Sequence, residues 1–373
     1  MILKTILSRI DDWAPPGIAQ SYDNVGIQVG DPNQDIKVGL IALEITPEVI
    51  REAEDIGAQL ILTHHPLLFR PLRSLTPTTL IGSMVMRLAR SEIAVVAAHT
   101  NLDALKEGVS ATLAELCGLT NPRILAPTHE GILKLVTFVP EDHLEKVREA
   151  LSRAGAGRIG DYSDVAFKNR GVGIFRPLST ANPFTKTSAG DLANVPEWSM
   201  EVSLTRDRLP AAIRALVDAH PYETPVYDVY EMVHTVSGFG LGMVGELEES
   251  VALSAFLGHL CQALDTPAVR YAGDLSAPIR RVAVCGGAGR DLIDAAMRSG
   301  ADAYVTADIT YHTFFDVLNP DSGFRMALID AGHYETEAAT EQLLLNWLEE
   351  HLAQVSWVKT SVRTSPVGTF IAP

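Results

Sequence analysis

Two adjacent histidines, His64 and His65, follow a run of apolar residues and directly precede Pro66. Neutral imidazole is the commonest metal ligand among side chains, so the pair could bind a cation. Alternation along a strand would point the two rings to opposite faces, although a bend at the proline could let them converge. An ordinary strand end with polar residues in the loop is the alternative at this point.

A histidine followed four residues later by a carboxylate occurs twice at the end of an apolar run. His99 and Asp103 form the first pair, and His333 and Glu337 form the second. Residues i and i+4 of a helix lie on one face, so each pair could share one ion. Taken alone, each pair could also be a helix cap or a surface pair. Their joint occurrence just beyond strand ends, where open α/β sheets place ligands, favours a metal centre.

The predicted ligand set mixes histidines and carboxylates, which suits Zn, Fe, Mn, Co or Ni better than Ca or Mg. Five protein ligands exceed the three that are usual for a single catalytic zinc ion. The sequence therefore predicts two divalent metal ions per subunit, roughly 3.5–4 Å apart and bridged by a carboxylate. The predicted ligands are His64, His65, Asp103, His333 and Glu337.

Three further residues are candidates for a catalytic role. His99 stands at the position of His333 in an internal repeat and is a candidate hydrogen-bond partner of a ligand. Asp308 stands at the position of His65 and is expected to support a ligand or to contact the substrate. His312 is a candidate for proton transfer, and a structural histidine is an equally good interpretation.

The repeat that aligns these residues consists of two strand–helix–strand units. Gly57 aligns with Gly300 and Thr63 with Thr306 without a gap (300 − 57 = 243; 306 − 63 = 243). The apolar runs lack alternation, as expected for strands that are buried on both faces of a parallel sheet. The predicted fold class is α/β, with two related βαβ halves that form one metal-binding domain.

An inserted segment separates the two halves. Its pattern of strand, helix, two strands, helix and strand is typical of a ferredoxin-like α+β domain. The predicted domains are 1–130 with 244–373 for the metal-binding domain, 131–236 for the insert and 237–243 for a glycine-rich linker. Residues 179–196 are predicted to form an exposed loop. The predicted core of the insert comprises Leu135, Phe138, Val147, Leu151, Val202, Leu204, Ile213, Leu216 and Val226.

The composition limits the class of partner. The formal net charge of −16 argues against nucleic acid and anionic membranes as partners, because both need basic patches. No segment approaches the ~18 continuous apolar residues that a membrane span needs. The N-terminus lacks a signal-peptide pattern, and Cys117, Cys261 and Cys285 make no disulfide framework. We therefore predict a cytoplasmic protein.

Four motifs stand in order along the chain: YDNVG at 22–26, LTHHP at 62–66, AHTNLD at 98–103 and GHYETE at 332–337. They resemble the signatures of the GTP cyclohydrolase I type 2 homologues, also described as dinuclear-metal-centre hexameric proteins. The resemblance covers nearly the whole chain. The middle segment is similar to the insert of the longer bacterial members, which resembles CutA and PII-like trimeric domains.

The resemblance implies a toroidal homohexamer, a dimer of trimers, with two metal ions per subunit facing an inner cavity. Carried over motif by motif, the ligands of the family fall on the five residues named above. Glu335 is an alternative to Glu337, but the i+4 spacing and the family pattern both favour Glu337. Asp308 departs from the glutamate expected at its position, which leaves its role open.

The family name implies hydrolytic opening of the GTP ring, and phosphoester hydrolysis is the other reaction that such a site suits. A small molecule or a nucleotide would be the substrate in either case. Two alternatives involve no turnover: a protein that binds or delivers metals, and a regulatory scaffold whose PII-like insert senses a small molecule. The sequence shows no guanine-binding motif, so fold and site leave the choice open.

Overall fold

The chain forms two compact units. The first joins Met1–Thr128 to Gly238–Pro373, and the second is His129–Ser237. The predicted boundaries at 130, 131 and 236, and the linker residues 237 and 238, lie outside the described residues. The computed structural model describes residues 1–127, 132–159, 162–232 and 239–371.

The first part of the first unit alternates strands and helices. Local signals explain the helix starts: the Thr46 side chain accepts a hydrogen bond from the Val49 backbone N–H, and Pro47 occupies the first turn. The parallel strands β3 and β4 are buried at every residue. The elements are α1 (Leu3–Trp13), β1 (Gly26–Val29), β2 (Val38–Ala42), α2 (Pro47–Asp55), β3 (Leu60–Thr63), α3 (Leu80–Arg90), β4 (Ala94–Ala97), α4 (Thr100–Asp103), α5 (Val109–Leu116) and β5 (Thr120–Pro127).

The second unit is an antiparallel sheet with two helices packed on one face. Its strand order is β7-β8-β6-β9, and its core joins the inward residues of the strands to both helices. The strand β8 begins at Ala193, so the predicted loop 179–196 is shorter than expected. The elements are β6 (Ile132–Val139), α6 (Leu144–Arg153), β7 (Ala166–Phe175), β8 (Ala193–Thr205), α7 (Leu209–Ala219) and β9 (Tyr227–Glu231).

Three predicted core residues of the second unit lie outside its core. Phe138 and Ile213 are partly exposed, and Val226 is 60% exposed. Burial alternates along β6 and includes Leu133 and Leu135, so Phe138 lies on the sheet face opposite the helices. Val226 directly precedes β9 and lies outside the sheet. The prediction that these three residues form the core was therefore wrong.

The last part of the chain returns to the first unit. Residues 240–243, predicted as linker, instead begin the strand β10. A Cβ at Gly242, which has φ +68°, would lie 2.9 Å from the Val284 carbonyl oxygen, so this glycine permits close strand pairing. The elements are β10 (Gly240–Ala252), α8 (Leu253–Ala263), β11 (Arg270–Ala272), β12 (Pro278–Val284), α9 (Ile293–Arg298), β13 (Ala303–Thr306), β14 (Ala327–Asp330), α10 (His333–Glu337), α11 (Thr340–His351) and β15 (Ser356–Lys359).

The first unit contains two sheets, and each has neighbouring parallel strands that end at paired residues. The first has the order β1-β4-β3-β2-β15, and the second has the order β11-β14-β13-β12-β10-β5. In the first sheet Thr63 lies opposite Ala42 and Ala97, and in the second Thr306 lies opposite Asp330. The fold is thus mixed α/β with several sheets, and side chains that follow the parallel strands share an edge.

Candidate metal centre

The structure brings the five predicted ligands into one group, termed here the imidazole–carboxylate cluster. His64 and His65 follow β3, Asp103 ends α4, and His333 and Glu337 lie one turn apart on α10. The two adjacent rings converge, with centroids 4.9 Å apart. The closest distances are His64 Nε2–Asp103 Oδ1 3.5 Å, His64 Nε2–Glu337 Oε1 3.7 Å, His65 Nε2–Glu337 Oε2 3.0 Å, His333 Nε2–Glu337 Oε2 3.2 Å and His65 Nε2–His333 Nε2 3.3 Å.

Each histidine at the cluster turns its Nδ1 atom toward an oxygen acceptor. Such a contact keeps the proton on Nδ1 and leaves a lone pair on Nε2, which is the arrangement of metal-binding imidazoles. The pairs are His64 with the Ala98 carbonyl at 2.9 Å, His65 with Glu44 at 3.3 Å, His99 with Asp23 at 2.8 Å and His333 with Asp308 at 2.8 Å.

The atoms that face one another inside the cluster are acceptors. His64 Nε2, Asp103 Oδ1 and Glu337 Oε2 are buried and have no hydrogen-bond partner among the described residues. Buried polar atoms without partners are rare and costly. His65 Nε2 and His333 Nε2 also face each other at 3.3 Å. A cation would satisfy these atoms together, so the donor set fits a transition-metal ion.

Glu337 is shared by two groups of three that could each hold an ion. One group adds His65 and His333, and the other adds His64 and Asp103; within each, the ligand atoms lie within 4.8 Å of one another. A carboxylate common to two such groups is placed to bridge two ions.

The electrostatics of the cluster favour positive charge. Burial raises the pKa of Asp103 above its ordinary value. Burial by itself would lower the pKa of His65, but Glu337 and Glu44 outweigh it and raise the pKa to about 10. Burial would also lower the pKa of His333, but the contact with Glu337 has the larger effect and raises that pKa to about 9. Protons on the imidazoles and bound cations therefore compete for one site.

His99 lies beside the cluster, but it does not pair with Asp103 as its spacing predicts. It instead forms a group with His64 and His65, and its Nδ1 contacts Asp23. The i+4 spacing holds across α10, which begins at His333, but not at α4, because His99 is the residue before that helix and has a non-helical backbone (φ −113°, ψ −109°). The two halves of the repeat therefore differ in how they use their histidine.

Two carboxylates that hold histidine rings at the cluster, Asp23 and Glu44, were not predicted from the sequence. Asp23 accepts hydrogen bonds from His99 and from the Thr100 backbone N–H at 3.0 Å. Burial alone would raise the pKa of Asp23, but the His99 and Thr100 hydrogen bonds hold it at about 2. Glu44 follows β2 by two residues, as His65 follows β3. The rule that ligands follow parallel strands could have found Glu44, and the YDNVG motif already contained Asp23.

Of the other residues considered from the sequence, Asp308 contacts a predicted ligand, whereas His312 and Glu335 lie away from the cluster. Asp308 contacts His333 Nδ1. His312 is exposed, its ring lies near Tyr311 at a centroid distance of 5.3 Å, and no contact with the cluster occurs among the described residues. His312 begins a 3-10 helix that ends at Val317, and its role in proton transfer is a prediction that the contacts of the described residues do not support. Glu335 pairs with Arg363 at 2.8 Å and lies outside the cluster.

Asp308→Asn is expected to weaken metal binding about ten- to hundredfold, because groups that orient a metal-binding imidazole contribute that much. Competition with a chromogenic chelator measures the affinity. Asp316→Asn is the matched control, since Asp316 is an exposed aspartate in the segment that follows. Equal affinities for the two variants would contradict a supporting role for Asp308.

A glycine-rich loop after β12 closes against the cluster. Gly287 has φ +61°, and a Cβ there would lie 2.2 Å from Glu337 Oε1 and 3.2 Å from His333 Nε2. The Gly287 backbone N–H donates to Thr336 Oγ1 at 3.0 Å, and the Thr306 hydroxyl donates to the Gly287 carbonyl at 2.9 Å. These bonds fix the loop, so only glycine leaves room for the Glu337 carboxylate.

The fold and the cluster define a mixed α/β protein with His/carboxylate groups able to hold metal ions. The sequence profile of the Duf34/NIF3 (NGG1p interacting factor 3) family matches residues 1–366, and the chain belongs to this family. The resemblance noted from the motifs is therefore confirmed. Among the described residues, no helix combines the length and apolar character required to cross a membrane.

Relatives match the chain over nearly its full length. A GTP cyclohydrolase 1 type 2 homolog of Halalkalibacterium halodurans is 39% identical over 99% of this chain and 98% of its own. The protein of the same name from Bacillus subtilis is 37% identical over 90% of this chain and 89% of its own. The solved structure of a Bacillus cereus protein related to NIF3 is 36% identical, with a TM-score of 0.75 and 99% of each chain covered.

Proposed function

We propose that the protein is a metal-dependent hydrolase with a dinuclear centre held by the imidazole–carboxylate cluster. The observation that carries the proposal is the convergence of buried acceptor atoms of His64, Asp103 and Glu337 without hydrogen-bond partners among the described residues. When bound, two divalent ions of the Zn, Fe, Mn, Co or Ni type would activate a water molecule and polarise a phosphoryl group or a ring carbon.

The residues of the chain would supply orientation and proton transfer. Glu44 and Asp308 hold the rings of His65 and His333 through their Nδ1 atoms. Asp23 holds the His99 ring in the same way, which leaves Nε2 free to accept or donate a proton. The His99 ring centroid lies 5.2 Å from that of His64, so this proton carrier stands at the edge of the cluster.

Two exposed aromatic side chains next to His99 favour a substrate with a planar ring. Phe69 is 43% exposed and Tyr22 is 66% exposed. Their ring centroids lie 6.3 Å apart, and that of Phe69 lies 6.2 Å from the His99 ring. Aromatic faces stack on heterocycles, which suits a nucleotide better than a simple phosphoester. The name of the relatives, GTP cyclohydrolase 1 type 2 homolog, agrees with this substrate class.

The assembly and the insert belong to the same proposal and rest on the family resemblance. We propose a homohexamer built as a dimer of trimers, two related halves in the first unit, and a CutA- or PII-like role for the second unit. A cytoplasmic location remains a prediction from the sequence. A metal-binding or metal-delivery protein without turnover is the second candidate, favoured by the net charge of −16.

Protein purified without chelator and loaded with each metal is expected to hydrolyse GTP or a phosphoester. His65→Ala should abolish this turnover, because it removes an Nε2 atom 3.0 Å from Glu337. His312→Ala is the control and should keep its rate within about twofold, since the exposed residue lies outside the cluster. Absence of turnover in metal-loaded protein, or unchanged turnover in His65→Ala, would exclude the hydrolase; metal that still exchanges would then favour delivery.

A further inference from the structure

The second unit contains a cavity of about 500 Å³ on the sheet face that its helices leave uncovered. The wall comes from β6, β7 and β8, from the loop 177–184 and from the segment 222–226 that precedes β9. Phe138 and Val226, predicted as core residues, belong to this wall. Mostly apolar cavities of roughly 300–1,000 Å³ with a few polar groups are the usual form of small-molecule sites.

One buried carboxylate stands in this apolar wall. Glu197 on β8 is only 9% exposed. Among the described residues, only the Tyr222 hydroxyl donates to it, at 2.6 Å to Oε1. Burial and the adjacent carboxylate raise the pKa of Tyr222, so its hydroxyl stays a donor near neutral pH. The second oxygen, Oε2, is left to accept a hydrogen bond from a ligand.

A glycine on the neighbouring strand makes room for this carboxylate. A Cβ at Gly173 on β7 would lie 2.0 Å from Glu197 Oε2 and 2.6 Å from Glu197 Cδ. Any larger residue at this position would displace the carboxylate. The acid and the glycine are therefore matched across the two strands, as expected of a formed site rather than of a chance hollow.

The wall carries negative charge and no positive charge. Two of its residues are glutamates, Glu197 and Glu223, and none is lysine, arginine or histidine. The rings of Phe184 and Tyr222 have centroids 6.0 Å apart with planes tilted by 44°, and Phe138 and Phe175 add two further aromatic rings. Aromatic faces attract cations, and carboxylates form charge-assisted hydrogen bonds with ammonium groups.

We propose that this cavity binds a small organic ammonium ion whose apolar body lies against the aromatic wall and whose nitrogen donates to Glu197. A neutral ligand of the same shape would leave the buried carboxylate without a counter-charge, which is costly. A second copy of the chain is a poorer occupant, because the centres of protein interfaces are depleted of charged residues. The proposal concerns the second unit alone and does not depend on the metal centre.

The test compares phenethylamine with its neutral counterpart 2-phenylethanol, titrated into the full-length protein by ligand-detected NMR. Phenethylamine should bind about tenfold more tightly than the alcohol. Glu197→Gln keeps the size of the side chain and should weaken phenethylamine about tenfold while leaving 2-phenylethanol within about twofold. Glu201→Gln is the matched control and should change neither affinity. Glu201 lies on the same strand and face, pairs with Lys134 at 2.8 Å and stands outside the wall.

Gly173→Ala gives an independent check, because it should displace the Glu197 carboxylate and weaken phenethylamine without changing any charge. The proposal is wrong if phenethylamine does not bind in the millimolar range, if the alcohol binds equally well, or if both glutamate variants lose binding equally. A change of oligomeric state in Glu197→Gln or Gly173→Ala, measured by sedimentation, would identify the cavity as a contact between copies and would also overturn the proposal.

Discussion

Glu337→Gln is expected to lower the metal content of the purified protein from about two ions per chain to below about one. Among the described residues, the group of His65, His333 and Glu337 and the group of His64, Asp103 and Glu337 have only Glu337 in common. Glutamine keeps the size of the side chain but replaces one charged oxygen by an amide nitrogen, which cannot bind a cation. Elemental analysis of protein purified without chelator or affinity metal measures the change.

Glu335→Gln is the matched control for this loss. Glu335 lies on the same helix, but it pairs with Arg363 outside the cluster. This control should therefore keep its full metal content. Because a ligand that binds only the folded state stabilises it, added metal should raise the unfolding temperature of the control and not that of Glu337→Gln.

Glu337→Asp covers the outcome in which the glutamine variant does not fold. It retains the charge but shortens the side chain by one methylene, so a single carboxylate should no longer reach both groups and the metal content should fall by about half. Folded Glu337→Gln or Glu337→Asp protein with full metal content would show that Glu337 is not a bridging ligand.

The elements nearest the cluster could be predicted from the sequence because their signals are local. The apolar runs that end at Thr63 and Thr306 became β3 and β13, and these strands end at those residues. Buried parallel strands read as continuous apolar runs, and a polar residue directly after such a run marks the sheet edge. That rule was enough to bring His64, His65 and His333 together.

The supporting carboxylates carry a weaker signal, because the strand-end rule reaches Glu44 after β2 but does not reach Asp23, which precedes β1. Asp23 lies 76 residues before the His99 ring that it holds, and Glu44 lies 21 residues before His65. A single carboxylate has no spacing signal of its own, and surface carboxylates are common. His312 presents the opposite case, because it follows Asp308 by four residues but begins a 3-10 helix, and no contact with the cluster occurs among the described residues.

The second unit shows where hydrophobic patterning misleads. Phe138 and Val226 are apolar and were assigned to the core, but the structure places both in the wall of a cavity on the opposite face of the sheet. An apolar residue on the outer face of a strand fits a binding wall as well as a core. The glycines at 240 and 242 misled similarly, because composition suggested a linker, whereas their long-range pairing with β5 and β12 makes a strand.

Gly287→Ala is expected to weaken metal binding more than about tenfold although the residue donates no ligand atom. The new Cβ would lie 2.2 Å from Glu337 Oε1. The loop cannot yield easily, because its backbone is hydrogen-bonded to Thr336 and Thr306. The Glu337 carboxylate must therefore move. Glu337 belongs both to the group with His65 and His333 and to the group with His64 and Asp103, so its movement affects both.

Gly57→Ala separates this contact from backbone strain. Gly57 has a φ of +66°, close to the +61° of Gly287, but a Cβ at Gly57 meets nothing within 4 Å. An alanine in this left-handed conformation costs about 1–2 kcal/mol in either place. Urea unfolding of chelator-treated protein should therefore show this loss for Gly57→Ala and at least as large a loss for Gly287→Ala. Chelator competition should show weaker metal binding only for Gly287→Ala. Equal metal affinity in the two variants would mean that the glycine-rich loop does not position Glu337, and that the cluster is fixed by the two sheets alone.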